Sequence, residues 1–290
     1  MPRLTVNLRL ILGPLRHGAA DPTILFAADG VWRATNTPEG PGTIHLRPDG
    51  QAEVWGAGGD WLQARAAAMT GQLDSLDGFD PSLHPVVARL AHRLPGLRLA
   101  RTERVFDALM PAILEQKVTG AEAKRAWHGL VRLAGEPAPG PVPLTLTPTP
   151  ERVLDVASYQ FHALGVERRR AETMQRCARV AHRLEKAVAS GPALLDQRLR
   201  SIDGIGVWTS AEVRLVALGD PDAVSVGDYH LSNSVSYALA GEPRGDDDRM
   251  LELLEPFKGH RGRVTRLIEV SGIRAPRRGP RMRTRRIARH

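Results

Sequence analysis

Two glycines one residue apart, in the run Leu199-Arg200-Ser201-Ile202-Asp203-Gly204-Ile205-Gly206-Val207-Trp208-Thr209, offer the first chemistry in this chain. An apolar helix end leads into the Gly-x-Gly turn, and a second helix is expected to start at about Val207. Glycine lets backbone N–H groups approach a ligand closely. Amides at a helix N-terminus then make an anion site suited to a phosphate. Leu199 and Ile202 would pack the hairpin. A plain tight turn fits the same two glycines, but their embedding reads as a helix-hairpin-helix that grips a nucleic-acid backbone regardless of sequence.

Downstream, Val224-Ser225-Val226 leads into Gly227-Asp228-Tyr229-His230-Leu231, placing Asp228 just before a helix expected over Tyr229 to Leu239. Asp228 suits a plain N-cap, and it equally suits a catalytic carboxylate facing a cationic sugar. Amides and the dipole at a helix start favour an acid's charged form, so the two roles are compatible.

The elements that position these residues fall into three stretches. Residues 1–80 read as an antiparallel α+β unit. Leu4 to Leu10 alternates apolar and polar as a half-buried strand does. Asp29-Gly30 and Asp49-Gly50 are hairpin turn signals between further strands, and residues 61–68 look like a short helix. From 81 to 270 the period becomes helical. Val105, Phe106, Leu109, Met110, Ile113 and Leu114 form one apolar stripe. Thr119 to Glu122 fits a capping box opening a helix that stops near Gly135. Residues 136–150, with six prolines, must be a loop, and Thr149-Pro150 starts the next helix. One long helix is expected from Glu167 to Ser190, with Gly191 as its stop. Residues 271–290 form an arginine-rich tail expected to be flexible.

Among 290 residues, 40 Lys+Arg face 32 Asp+Glu, a formal net charge of +8. Such a surplus suggests a polyanionic partner. The tail holds eight arginines and no acid, leaving the rest of the chain formally neutral, 32 against 32. The single cysteine, Cys177, excludes an intrachain disulfide, a cysteine-based zinc site and a four-cysteine iron–sulfur cluster. No apolar run approaches the ~20 residues of a membrane span, and no secretion signal is expected. The expected setting is the cytoplasm, at the nucleoid, with no membrane.

Residues 199–213 (LRSIDGIGVWTSAEV) followed by 224–231 (VSVGDYHL) resemble the helix-hairpin-helix DNA glycosylases of base-excision repair, and most of all the DNA-3-methyladenine glycosylase II (alkylation repair) branch. Residues 109–127 (LMPAILEQKVTGAEAKRAW) and 161–174 (FHALGVERRRAETM) look like its earlier helices, and 1–80 fits its N-terminal sheet domain. The resemblance implies an antiparallel α+β domain followed by a mainly helical glycosylase domain, with the hairpin at about 197–218.

It further implies base flipping and hydrolysis of an N-glycosidic bond in double-stranded DNA, by a monomer without a cofactor. Asp228 would stabilise the oxocarbenium-like sugar and position or deprotonate the water. One carboxylate suffices where the leaving purine is already cationic. Trp208 occupies the position of the Schiff-base lysine of bifunctional relatives, which implies a monofunctional enzyme leaving an abasic site. Its indole would stack on the flipped base or serve as a core residue locking the hairpin.

Gln116 matches a position near the lesion, and Tyr229 one that lines the pocket or packs in the core. Gly204, Ile205, Gly206 and Thr209 would meet the DNA backbone. The backbone carbonyls of Arg200, Ile202 and Ile205 would hold a monovalent cation. Two positions depart from the pattern. Lys117 stands where a leucine wedges into the gap left by the flipped nucleotide, so that either its stem enters while its ammonium meets phosphate, or it is a solvent-facing lysine on a helix. Glu212, one turn after Trp208, stands where a pocket tyrosine is found, and would attract a cationic base or pair with an arginine. His230 and Trp127 are expected to be structural, Glu115 a surface charge, Asp203 a turn residue, and Asp246-Asp247-Asp248 a charged helix start. The competing expectation is a DNA-binding or damage-sensing protein that keeps the hairpin but does little chemistry.

Overall fold

The computed structural model describes residues 6–276, so most of the arginine-rich tail, 277–290, lies outside the described residues. Asn7 accepts from the Leu10 amide and starts α1 (Leu8–Leu12). The strand expected here is therefore a helix. Leu8, Ile11 and Leu12 recur at helical spacing and all three are buried, which outweighs the alternation over the preceding residues.

Four strands follow as an antiparallel meander in sequence order: β1 (Ile24–Phe26), β2 (Val31–Thr37), β3 (Gly40–Leu46) and β4 (Ala52–Trp55). Their register pairs Leu25 with Trp32, Arg33 with Ile44, and Thr43 with Trp55. Both hairpin signals fall at turns. The expected helix over 61–68 forms as two short pieces, α2 (Gly59–Gln63) and α3 (Ala66–Met69). They cover one sheet face, where Ile24, Val31, Ile44 and Leu46 pack with Leu12, Trp61, Leu62 and Met69. The other face is not left to water. Trp32 stacks on His45 at 3.9 Å and on Trp55 at 5.0 Å. Leu144 and Leu146 of the proline-rich segment then cover that face.

After α4 (Pro85–Arg93) comes α5 (Val105–Leu114), all ten residues of which are buried. The expected single stripe is thus a helix wrapped on every side, its one charged residue, buried Asp107, accepting from the Thr35 and Thr147 hydroxyls. Glu185 caps it from outside, accepting from the Val105 and Phe106 amides at 3.1 and 3.0 Å. α6 (Gly120–Ala134) opens on the anticipated capping box and ends at Gly135. α7 (Pro150–Asp155) opens on Thr149-Pro150 as anticipated, and α8 (Ser158–Ala163) follows.

The long helix expected to Ser190 is broken at Val180 (φ −116°, ψ 9°) into α9 (Arg168–Arg179) and α10 (Ala181–Ala187). The break lets Ala181 and Leu184 turn into the same core as Met174 and Cys177. Gly191 ends the stretch at φ +84°. The remaining helices are α11 (Pro192–Arg200), α12 (Val207–Leu218), α13 (Leu231–Ala240), α14 (Asp247–Leu254), capped by Asp246, and α15 (Arg261–Ser271).

Two helical cores result. One gathers α5–α12; the other gathers α4 and α13–α15. The second core is tied to the loop after α3 by Arg263. Its guanidinium clasps both oxygens of Asp74 at 2.6 and 2.7 Å, with both side chains buried, and reaches the carbonyl of exposed Ser75 at 2.9 Å. No helix among the described residues is long and apolar enough to cross a membrane.

Candidate active site

The site is built where α11 hands over to α12. Leu199 and Ile205 are buried and Ile202 is half-buried, all against the core around α5, so the turn is anchored from below. Gly204 sits at φ +95°, and a Cβ there would lie 2.2 Å from the Thr173 hydroxyl; both facts demand glycine. Gly206 is different. Its backbone is extended, φ −97° and ψ −175°, and a Cβ would meet nothing within 4 Å. What its missing side chain provides is open access to the first amides of α12, which lack intrahelical acceptors by the geometry of any helix start. The Ile202 carbonyl accepts the Ile205 amide at 3.0 Å, which leaves one of its lone pairs free.

Gln116 is placed against the hairpin and away from the cavity described below. Its amide donates to the Gly204 carbonyl at 3.0 Å and to the Thr209 hydroxyl at 2.9 Å. Thr209 is accordingly buried inside this brace and presents no side chain to a backbone phosphate. Lys117, next in sequence, is exposed and lies in the turn between α5 and α6 instead of on a helix. Its φ of +54° is one of two left-handed non-glycine values in the described residues. Arg170 holds the base of that turn through the Leu114 carbonyl at 2.8 Å.

Asp228 lies on the turn before α13. Its Oδ1 accepts from both the His230 and Leu231 amides at 2.8 Å, so its side chain caps the helix, which begins at Leu231 rather than Tyr229. Its Oδ2 accepts from Trp208 Nε1 at 3.3 Å. Trp208 is half-buried against the core of α12 and reaches Asp228 with its indole edge, so one residue locks the hairpin and touches the carboxylate.

A cavity of about 250 Å³, close to the ~300 Å³ lower end of small-molecule sites, is lined by neither Trp208 nor Asp228 but by residues on either side of Asp228 in the chain. Its lining includes Ser225 and Leu231, which bracket Asp228 in sequence. It also includes Glu115 at the end of α5, Glu212 on α12, Glu269 and Arg266 on α15, and His17 of the loop after α1. Glu212 accepts the Ser225 hydroxyl. Burial pushes its carboxyl up to about 8, and nearby Glu269, Glu115 and Asp228 push the same way. Glu269, whose side chain is still 42% exposed, is also raised by partial desolvation, with Arg266 at 3.3 Å opposing. His17 stands 3.4 Å from Glu115 and edge-on to Trp127.

Tyr229 departs from both of its expected roles. It is 80% exposed, edge-on to exposed His230, and neither lines this cavity nor packs in the core. Trp127 is in the core as expected, its indole N–H lying 3.3 Å from both Asp21 oxygens. Asp203 is an exposed turn residue beside Arg176. Glu115, expected on the surface, faces the cavity. Ser225, Glu269 and His17 had no role in the sequence reading, because each reaches the site from a separate element with no spacing to betray it.

Residues 110–259, just over half of the chain, match the family model of the HhH-GPD superfamily base excision DNA repair proteins. Among curated proteins, a probable bifunctional transcriptional activator/DNA repair enzyme AlkA from Mycobacterium tuberculosis is 30% identical over 158 residues, 53% of this chain and 30% of that protein. DNA-3-methyladenine glycosylase 2 from Escherichia coli is 28% identical over 177 residues, 60% of this chain and 62% of that one. The chain thus spans about a third to three fifths of the length of these relatives. In three dimensions it is similar to a 3-methyladenine DNA-glycosylase from Archaeoglobus fulgidus, with a TM-score of 0.78 at 18% identity, covering 93% of this chain and 97% of that one. It is also similar to an 8-oxoguanine glycosylase/lyase from Clostridium acetobutylicum, with a TM-score of 0.68 at 13% identity, covering 91% and 92%. At such identities the structural likeness establishes the fold, a sheet unit followed by a helical domain. On the match across its hairpin and site, the chain belongs to the HhH-GPD superfamily of base excision DNA repair proteins.

Proposed function

We propose that this chain is a monofunctional DNA glycosylase that flips alkylated purines of the 3-methyladenine type out of duplex DNA and hydrolyses their N-glycosidic bond, leaving an abasic site. The observation that carries this reading is the contact between Asp228 and Trp208, the latter on the helix that leaves the hairpin, with Ser225 and Leu231 on either side of Asp228 lining a cavity that also holds Glu115, Glu212 and Glu269. As the glycosidic bond lengthens, positive charge develops on the sugar. The Asp228 carboxylate, fixed by two amides and an indole, is preorganised to oppose that charge without moving. The alkylated purine takes the bonding electrons and leaves as a neutral base. Water adds to the sugar carbon and loses its proton to Asp228 or solvent.

The hairpin amides around Ile205 and Gly206 hold a backbone phosphate, and Gln116 keeps the adjoining turn in register with them. Lys117 at that turn supplies a stem for the gap and an ammonium for a phosphate. The carbonyls of Arg200, Ile202 and Ile205 take a monovalent cation at the turn.

An indole nitrogen is no nucleophile, so Trp208 forms no Schiff base. Lys124 also lines the cavity, which makes the monofunctional assignment open to direct test. Duplexes carrying single 3-methyladenine, 7-methylguanine, hypoxanthine or ethenoadenine residues are incubated with the protein and scored before and after alkali. The expected result is base release with strands that break only on alkali, and no protein–DNA adduct on borohydride treatment. A trapped adduct contradicts the monofunctional reading. Release from none of the four, with duplex binding intact, favours a damage-sensing protein.

A further inference from the structure

The basic groups lining the cavity mostly have partners of their own. Arg266 pairs with Glu269 at 3.3 Å, His17 with Glu115 at 3.4 Å, and Arg33 with Asp107 at 3.6 Å. Arg16 donates to the Ala19 carbonyl at 2.6 Å. Lys124 of α6 completes the basic groups of the lining. Glu212 stands apart. Among the described residues no basic side chain pairs with it; its partner is the neutral hydroxyl of Ser225. Glu212 is half-buried, and a carboxyl partly withdrawn from water without a counter-charge is costly to ionise. That cost is recovered when a ligand brings the missing cation.

We propose that Glu212 is the specificity-determining residue of this site: its carboxyl is the counter-charge for a positively charged purine, so the cavity takes cationic alkylated bases in preference to neutral ones. This rests on the glycosylase reading above. A 3-methyladenine residue in DNA carries delocalised positive charge and an exocyclic amino donor, and both suit a carboxylate. Ethenoadenine is neutral, and its etheno ring removes the N–H donors of that edge, so an ionised Glu212 meets a lone pair or a C–H there. Protonated Glu212 instead offers an O–H donor that neutral bases accept. Desolvation and the nearby acids Glu269, Glu115 and Asp228 move the change upward and the Ser225 hydroxyl moves it down, while the basic groups Arg16, His17, Arg33, Lys124 and Arg266 share the cavity lining. With the carboxyl raised to about 8, selectivity should sharpen as pH rises through that value.

The test compares single-turnover release of 3-methyladenine and ethenoadenine from the same duplex sequence at pH 6.5 and pH 9, corrected for spontaneous loss. For the unmodified protein the ratio of the two rates should rise about tenfold or more between these pH values, the scale of a close charge pair. Glu212→Gln, which keeps size and polarity, should hold the ratio flat near the low-pH value. Ser225→Ala removes a hydrogen bond that holds the Glu212 carboxyl down, and should move the rise to higher pH. This second variant decides the matter if the first folds poorly. A Glu212→Gln ratio within twofold of the unmodified one at pH 9 overturns the proposal, as does a Ser225→Ala profile that does not move. An unmodified protein that releases both bases with a pH-independent ratio overturns this inference alone. Release of neither base overturns the glycosylase reading with it.

Discussion

Asp228 devotes Oδ1 to the His230 and Leu231 amides at the start of α13 and Oδ2 to the Trp208 indole, so a single carboxylate both caps a helix and ties it to the helix that leaves the hairpin. Its place before a helix was legible in the sequence. The indole contact was not, because residues 20 positions apart leave no local pattern when they meet through tertiary packing. Glu115 misled for a related reason: a charged residue ending an apolar helix looks the same whether it faces solvent or a cavity mouth. Glu212 carries a consequence for stability. Its folded carboxyl titrates near 8, well above the ~4.3 of an unfolded glutamate. Between those values the folded chain holds a proton that the unfolded chain has released, so this group's contribution to stability falls as pH rises from about 4.3 to about 8 and then levels. Glu212→Gln should therefore be increasingly stable relative to the unmodified protein across that window. Urea midpoints measured from pH 5 to 9 check it; a difference that does not change with pH contradicts the buried titration.

At the scale of elements, helix boundaries written in side chains were readable, as at the Thr119 capping box, the Thr149-Pro150 start and the Gly191 stop. Boundaries set by tertiary packing were not. The alternation over residues 4–10 suggested a strand, yet burial of Ile11 and Leu12 decided for α1, and nothing in residues 167–190 announced the break at Val180. The hairpin depends on a fit between elements. A Cβ on Gly204 would collide with Thr173 of α9 while also straining a left-handed backbone. Gly204→Ala should cost ~2–4 kcal/mol of stability and weaken DNA binding of every lesion alike. Thermal unfolding and binding isotherms check both. Gly206→Ala, where space is open and φ is ordinary, should fold nearly as well as the unmodified chain. Equal destabilisation by the two changes would contradict the distinction drawn between these glycines.

At the scale of the whole molecule, the sheet unit is joined to the helices by contacts that composition conceals. The proline-rich segment, read as a loop, covers the outer sheet face, its Thr145 amide donating to the Pro22 carbonyl at 2.8 Å. Arg263 and Asp74, 189 residues apart, make a buried two-point ion pair. Replacing Asp74 with Ala leaves the Arg263 guanidinium buried without its partner and should cost ~3–5 kcal/mol, measurable in denaturant unfolding. A loss under 1 kcal/mol would mean the pair is not sequestered as described. Net charge is a separate property. The +8 of the chain equals the eight arginines of residues 271–290. Deleting residues 274–290 should flatten the slope of log binding constant against log salt by up to ~0.9 for each phosphate that those arginines neutralise. An unchanged slope would assign that affinity to residues 1–273.

The central claim is that Asp228 is the group that makes this DNA-binding fold a glycosylase. Single-turnover release of 3-methyladenine by Asp228→Asn, with duplex affinity measured in parallel, tests it most directly. Asparagine keeps the oxygen that caps α13 while removing the charge. The expected result is a fall in release of ~10²–10³-fold with affinity within a few-fold of the unmodified protein. Release at the unmodified rate would contradict the account.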